Sequence, residues 1–148
     1  MTATAVYVDG LTPGYAGREP LRDAVAAYLV ADTLSGGRAL FAPVFSGAGA
    51  ALREAARRAD VAFFDGSFYS DDELDGVDVH KSARALGHAP IAGTHGSLAT
   101  LGARETTSRR FYAHVNNTNP ILDPKSAAFA DIARFGFEVA EDGLEIRL

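Results

Sequence analysis

Cysteine and tryptophan are absent from the 148 residues, and methionine occurs once. Without cysteine the chain can form no disulfide, thiolate nucleophile or Cys-ligated zinc site, which leaves histidine, aspartate and glutamate as metal ligands. The same absence fits a reducing compartment, and the expected location is the cytoplasm. Basic residues are in deficit: 14 Lys and Arg against 19 Asp and Glu give a net charge of −5. The broad positive footprint that grips a phosphate backbone is therefore missing, and nucleic acid is not an expected partner. Long apolar runs are missing too. The longest low-polarity stretch, Ala24–Ala31, falls far short of the roughly 20 residues of a spanning helix, so no membrane insertion is expected. The N-terminal apolar run is broken by Asp9 and Gly10 and has no basic segment before it, unlike a signal peptide. No P-loop, G-x-G-x-x-G, H-E-x-x-H or G-x-S-x-G is present, which removes the nucleotide, dinucleotide, zincin and serine-hydrolase readings that rest on those motifs.

What is present is an ordinary globular composition, 47% hydrophobic and 22% charged, in a length that allows one domain over 1–148. Residues 1–23 are expected to be irregular, because Gly10, Pro13, Gly14, Gly17 and Pro20 crowd one stretch. Val25–Ala31 and Arg38–Phe45 read as two strands joined at Ser35-Gly36-Gly37, with Pro43 ending the pairing. Ala48–Ala59 reads as a helix, with Ala51, Leu52, Ala55, Ala56 and Ala59 at helical spacing and Arg53, Glu54, Arg57 and Arg58 on the other face. Asp60–Phe64 suits a buried strand opening onto Asp65-Gly66-Ser67. Short helices are expected over Lys81–Leu86 and Ser97–Arg104, a strand over Arg110–Val115 and an amphipathic helix over Ala127–Arg134. A closing hairpin pairs Phe137–Ala140 with Leu144–Leu148 about Asp142-Gly143. Alternating strands and helices define an α/β fold, and the hairpins make its sheet mixed.

Three places put reactive side chains where a strand or helix yields to a loop. Asp65 follows two phenylalanines, where apolar walls strengthen the electrostatics of a carboxylate that ligates a metal or orients a ligating histidine; an Asp-Gly turn accounts for it equally. His88 stands just after a helix and before a Gly-rich loop, as a ligand, a proton donor or a plain structural residue. His114 ends a strand ahead of Asn116-Asn117-Thr118-Asn119-Pro120, a dense array of uncharged donors and acceptors that an Asx turn explains only in part. His80 is expected to be exposed.

The segments FDGSFYSDDEL (64–74), KSARALGHAPIAG (81–93), GSLATL (96–101), HVNNTNPILD (114–123) and the ending FEVAEDGLEIRL closely resemble the C-terminal half of the pyrroloquinoline quinone (PQQ) biosynthesis B family, PqqB, of the metallo-β-lactamase superfamily. The resemblance covers Ala24 to Leu148 and implies half of an αββα sandwich: a mixed sheet with its covering helices. The superfamily's first metal motif, an H-x-H-x-D-H-like loop, belongs to the N-terminal half, and no equivalent stands here. The strand-end aspartate of many superfamily members is expected near Ala42-Pro43-Val44, where no carboxylate exists, which counts against a dinuclear hydrolase.

By this resemblance His114 is a metal ligand, Asp65 belongs to the metal site beside it as an orienting group, and His88 is a polar or acid–base catalytic contact. Asn116, Asn117, Thr118 and Asn119 bind substrate or lock the ligand loop; no role carries over to His95. A single iron or zinc ion is implied for the complete protein, held weakly or not at all by this chain alone because one histidine and one carboxylate make only a half-site. The implied activity is metal-dependent oxidation or processing of a tyrosine-containing peptide precursor of PQQ. The alternatives are a non-catalytic carrier of PQQ or its precursor, and a truncated inactive fragment. Self-association or pairing with the missing N-terminal half is expected, through an apolar sheet face holding Ala24, Val30, Phe63 and Tyr112. Asp65→Asn is expected to be milder than His114→Ala if Asp65 only orients a ligand.

Overall fold

The computed structural model describes residues 1–12, 23–77, 79–102 and 108–148. Its six strands are β1 (Thr2–Tyr7), β2 (Ala26–Ala31), β3 (Arg38–Ala42), β4 (Val61–Asp65), β5 (Arg109–Ala113) and β6 (Phe137–Val139). Three helices, α1 (Ala50–Arg58), α2 (Ser97–Leu101) and α3 (Ala127–Arg134), and single 3₁₀ turns at Glu73–Val77, Arg84–Leu86 and Pro120–Leu122 complete the described elements. The strands form one sheet in chain order; β1, β2 and β3 pair antiparallel, and β3 through β6 pair parallel. The sheet is therefore mixed, as the sequence pattern requires. The reading for Ser97–Arg104 holds to Leu101; positions 103 and 104, like most of the N-terminal Gly/Pro stretch, lie outside the described residues.

Two expectations fail. The first residues are not irregular: Thr2, Thr4 and Val6 alternate along β1, an exposed edge strand in full register with β2. Its short, small-residue pattern carries little apolar signal, and the ladder to β2 supplies what periodicity does not. The closing hairpin is also absent. The turn forms, with Gly143 at φ +84°, but β6 pairs only with β5, and residues 144–148 adopt no strand. Ile146 instead packs on the apolar cluster of Ala39, Val61 and Phe111, so burial on the sheet face outcompetes a second ladder.

Strand alternation sorts the side chains onto two faces. One face, with Ala27, Leu40, Ala62, Phe64 and Tyr112, packs against Leu52 of α1, Ile132 of α3 and Ile91 to form the main core. Tyr112 is fully buried there and stacks on Phe137 at 4.7 Å, so it is not on the free face. That other face carries a row of stacked rings, Phe41 on Phe63 at 5.0 Å and Phe63 on Phe111 at 5.2 Å, with Tyr28 and Val30 aligned beside them by register. Phe41 is 43% and Tyr28 51% exposed. Each ring left in water forgoes up to about 1.5–3 kcal/mol of burial. We therefore expect the chain to self-associate in light scattering and Phe41→Glu to shift it toward monomer; a monodisperse wild-type monomer would count against an unsatisfied sheet face.

Candidate metal centre

The site is assembled where β4 and β5 end side by side. Register pairs Asp65 with Ala113, so the carboxylate closing β4 meets His114, the residue after β5. Gly66 makes this approach feasible: its N–H donates to the Ala113 carbonyl at 2.7 Å, and a Cβ on it would lie 2.9 Å from that oxygen and 3.0 Å from Tyr112 Cβ. Gly66→Ala should destabilise the chain by about 1–3 kcal/mol, a loss of about 2–4 °C in Tm per kcal/mol; an unchanged thermal transition would refute the close fit. His114 sits at φ +55°, a left-handed conformation that costs a non-glycine residue roughly 1–2 kcal/mol. His88 follows Gly87 in its left-handed turn at φ +93° and is tethered by its N–H to the Ala83 carbonyl.

Asp65 is fully buried and is the hub of the cluster. Its Oδ2 lies 2.7 Å from His88 Nδ1. Its Oδ1 accepts from the Ser67 N–H at 3.1 Å and from the Ser67 hydroxyl at 2.7 Å. The same hydroxyl lies 2.9 Å from His114 Nδ1, and the two imidazole rings stack with centroids 5.8 Å apart. Phe68 makes a T-shaped ring contact with His88 at 5.6 Å and, with Val115, lines the apolar side of a cleft of about 350 Å³ that both histidines line.

The hydrogen bond to Asp65 raises the pKa of His88 above its ordinary 6.5, against the opposing effect of burial. A raised folded-state value means that the stabilisation from protonated His88 is complete below the unfolded pKa and fades as pH rises through the folded one. Asp65, His88 and His114 each offer one ligand atom, and these atoms lie within 4.8 Å of one another. Two neutral imidazoles and a carboxylate are donors that suit zinc or non-haem iron. A neutral His88 donating Nδ1–H to Asp65 keeps Nε2 as a lone pair, and a carboxylate has capacity beyond the bonds it already accepts. The residues present fit a metal ion.

No family model matches the chain. Individual proteins do. It is 39% identical over 125 residues to coenzyme PQQ synthesis protein B of Azotobacter vinelandii, covering 81% of this chain and 39% of that protein. Against the protein of the same name from Cupriavidus necator it is 35% identical over 154 aligned positions, covering 100% of this chain and 49% of the other. The Zn(2+)-bound PqqB crystal structure from Methylobacterium extorquens superposes with a TM-score of 0.77 at 30% identity, over 84% of this chain and 44% of that one. The chain belongs to the PqqB family. Its sheet and helices match a C-terminal half of the metallo-β-lactamase-like fold, and the chain spans 39–49% of the length of the curated relatives.

A carboxylate does stand at a strand end, since Asp65 closes β4. Set against the PqqB resemblance, the geometry changes two expectations. The half-site count of one histidine and one carboxylate is too low, because His88 reaches the same cluster. His88 is also no isolated acid–base contact, since its Nδ1 is engaged by Asp65. The Asn loop is mostly joined to the protein itself. Asn119 is 2% exposed, donates to the Gly66 carbonyl at 2.7 Å and accepts from the Ile121 N–H at 3.0 Å, so it locks the loop below Asp65. Asn116 donates to Thr118, whose hydroxyl donates to Glu73 at 2.6 Å; only Asn117 stands exposed. His80 and His95 are exposed and outside the cluster.

Sequence reasoning missed two residues. Ser67, 4% exposed, links Asp65 to His114, and the spacing Asp-x-Ser was its one available signal. Glu73 accepts from both Thr118 and the Tyr69 N–H and so ties the two site loops together; within an acidic run nothing marked it.

Proposed function

We propose that this chain provides the metal-holding wall of a protein of PQQ biosynthesis, with His88 and His114 holding one iron or zinc ion, Asp65 orienting them, and a peptide-derived, tyrosine-containing precursor entering the cleft beside it. The convergence of these three side chains at the ends of β4 and β5 carries this reading. The PQQ synthesis names of the relatives and the zinc in the neighbouring PqqB support it. When bound, such an ion supplies Lewis-acid polarisation of an oxygen, and iron adds electron transfer.

The protein's own groups prepare the site. Asp65 holds the Nδ1 proton of His88 and aligns its ring. Phe68 and Val115 keep water from one side of the cleft, which strengthens the electrostatic interactions within it. Asn116 borders that cleft and offers its amide to a polar substrate group, while Asn119 keeps the loop in place. The test is PQQ output in producing cells whose copy of this chain carries His114→Ala. Output should collapse, and the metal content of the purified protein should fall with it. Normal output with lost metal would favour the carrier role, and normal output with normal metal would remove the reading.

A further inference from the structure

We propose that Ser67 is the positioning residue for His114: its hydroxyl joins the ring to Asp65 and fixes the tautomer in which Nδ1 carries the proton and Nε2 keeps the lone pair. The inference rests on the proposed metal reading only where zinc affinity is concerned.

The argument is one of counting protons. An ionised carboxylate only accepts, and Asp65 Oδ1 and Ser67 Oγ lie 2.7 Å apart. A separation that short between two oxygens needs a proton between them, and Ser67 is the partner that has one. The hydroxyl has no second proton, so its 2.9 Å contact with His114 Nδ1 requires that the imidazole donate. The 3.2 Å approach of the same hydroxyl to the His114 carbonyl cannot take the proton without leaving two oxygens face to face at the shorter distance. His114 thus carries a proton on Nδ1, and in its neutral form is the Nδ1–H tautomer, because the hydrogen bond made by one ring nitrogen sets the state of the other.

His88 is fixed in the same state directly, through its 2.7 Å bond to Asp65 Oδ2. One buried carboxylate therefore orients both rings, one by contact and one through Ser67. His114 makes this contact from a backbone held at φ +55°. A histidine more than half exposed at its side chain would otherwise sample other rotamers.

The experiment is nitrogen-15 imidazole NMR on the metal-free chain at about pH 8, above the ordinary histidine pKa, in wild type, Ser67→Ala and Ser67→Thr. Wild-type His114 should show the Nδ1–H pattern. Ser67→Ala should shift it toward a tautomer mixture without altering His88, and Ser67→Thr, which keeps the hydroxyl, should restore it. Zinc titration of the three proteins should show a loss of about 10–100-fold for Ser67→Ala and near-wild-type affinity for Ser67→Thr. If none of the three binds zinc but the tautomer shifts, the positioning role stands and the metal reading falls. Should Ser67→Ala fail to fold, the wild-type and threonine spectra still decide the tautomer. Wild-type His114 protonated at Nε2, or a Ser67→Ala chain with unchanged tautomer and affinity, would overturn the proposal.

Discussion

Asp65→Asn is expected to be the most damaging single substitution in the site, lowering stability by about 3–5 kcal/mol, as breaking a buried charge-bearing network does. Asparagine matches aspartate in shape but replaces one acceptor oxygen with an NH₂ donor. Asp65 faces donors on both sides, His88 Nδ1 on Oδ2 and the Ser67 N–H and hydroxyl on Oδ1. Turned one way, the NH₂ meets the Ser67 N–H and hydroxyl donors in a spot closed to water; turned the other way, it meets His88 Nδ1, which must then give up its proton and take the Nε2–H form. This is a loss of stability, separate from the milder loss of metal affinity expected if Asp65 only orients a ligand. Thermal unfolding of the metal-free chain should show a fall of about 2–4 °C per kcal/mol. The gap between wild type and variant should be widest below the ordinary His88 value of 6.5 and should narrow as pH rises through the raised one. It should not close, because a neutral Nδ1–H still donates to Asp65. A Tm within a degree or two of wild type would refute the hub role.

His114→Ala should separate metal binding from folding. His114 is more than half exposed at its side chain and contributes little packing, so the fold should survive. Zinc affinity should fall by well over the roughly 10–100-fold that follows loss of a residue that only orients a ligand, because one of the two histidine ligands is gone. His114→Gly adds a second readout. Glycine adopts φ +55° without the penalty of a side chain, so this variant should be more stable than His114→Ala by on the order of 1 kcal/mol while binding zinc equally poorly. A His114→Ala chain that binds zinc like wild type would take His114 out of the ligand set.

How much of this was legible depends on whether the cause was local. The helix α1 declares itself through alanines at helical spacing, and β4 and β5 through short runs of Val, Phe and Tyr, so their placement needed no tertiary information. The edge strand β1 and the unpaired tail at 144–148 were misread because pairing partners, not their own residues, decide their state. Asp65 and His114 were visible as strand-end residues ahead of polar loops. His88 was visible as a candidate, but its bond to Asp65 spans 23 positions, and only the fold brings the two together. Ser67 was hidden by the turn chemistry of Asp-Gly-Ser, which reads as an ordinary Asx turn until His114 arrives from 47 positions away.

Diffraction from crystals of this chain grown with zinc, measured at the zinc absorption edge, tests the central claim most directly. The account predicts one strong anomalous peak in contact with the Nε2 atoms of His88 and His114, whose rings Asp65 and Ser67 orient through Nδ1, lost in crystals of His114→Ala. A peak bound elsewhere with these side chains still hydrogen-bonded only to one another, or no peak at saturating zinc, would contradict it.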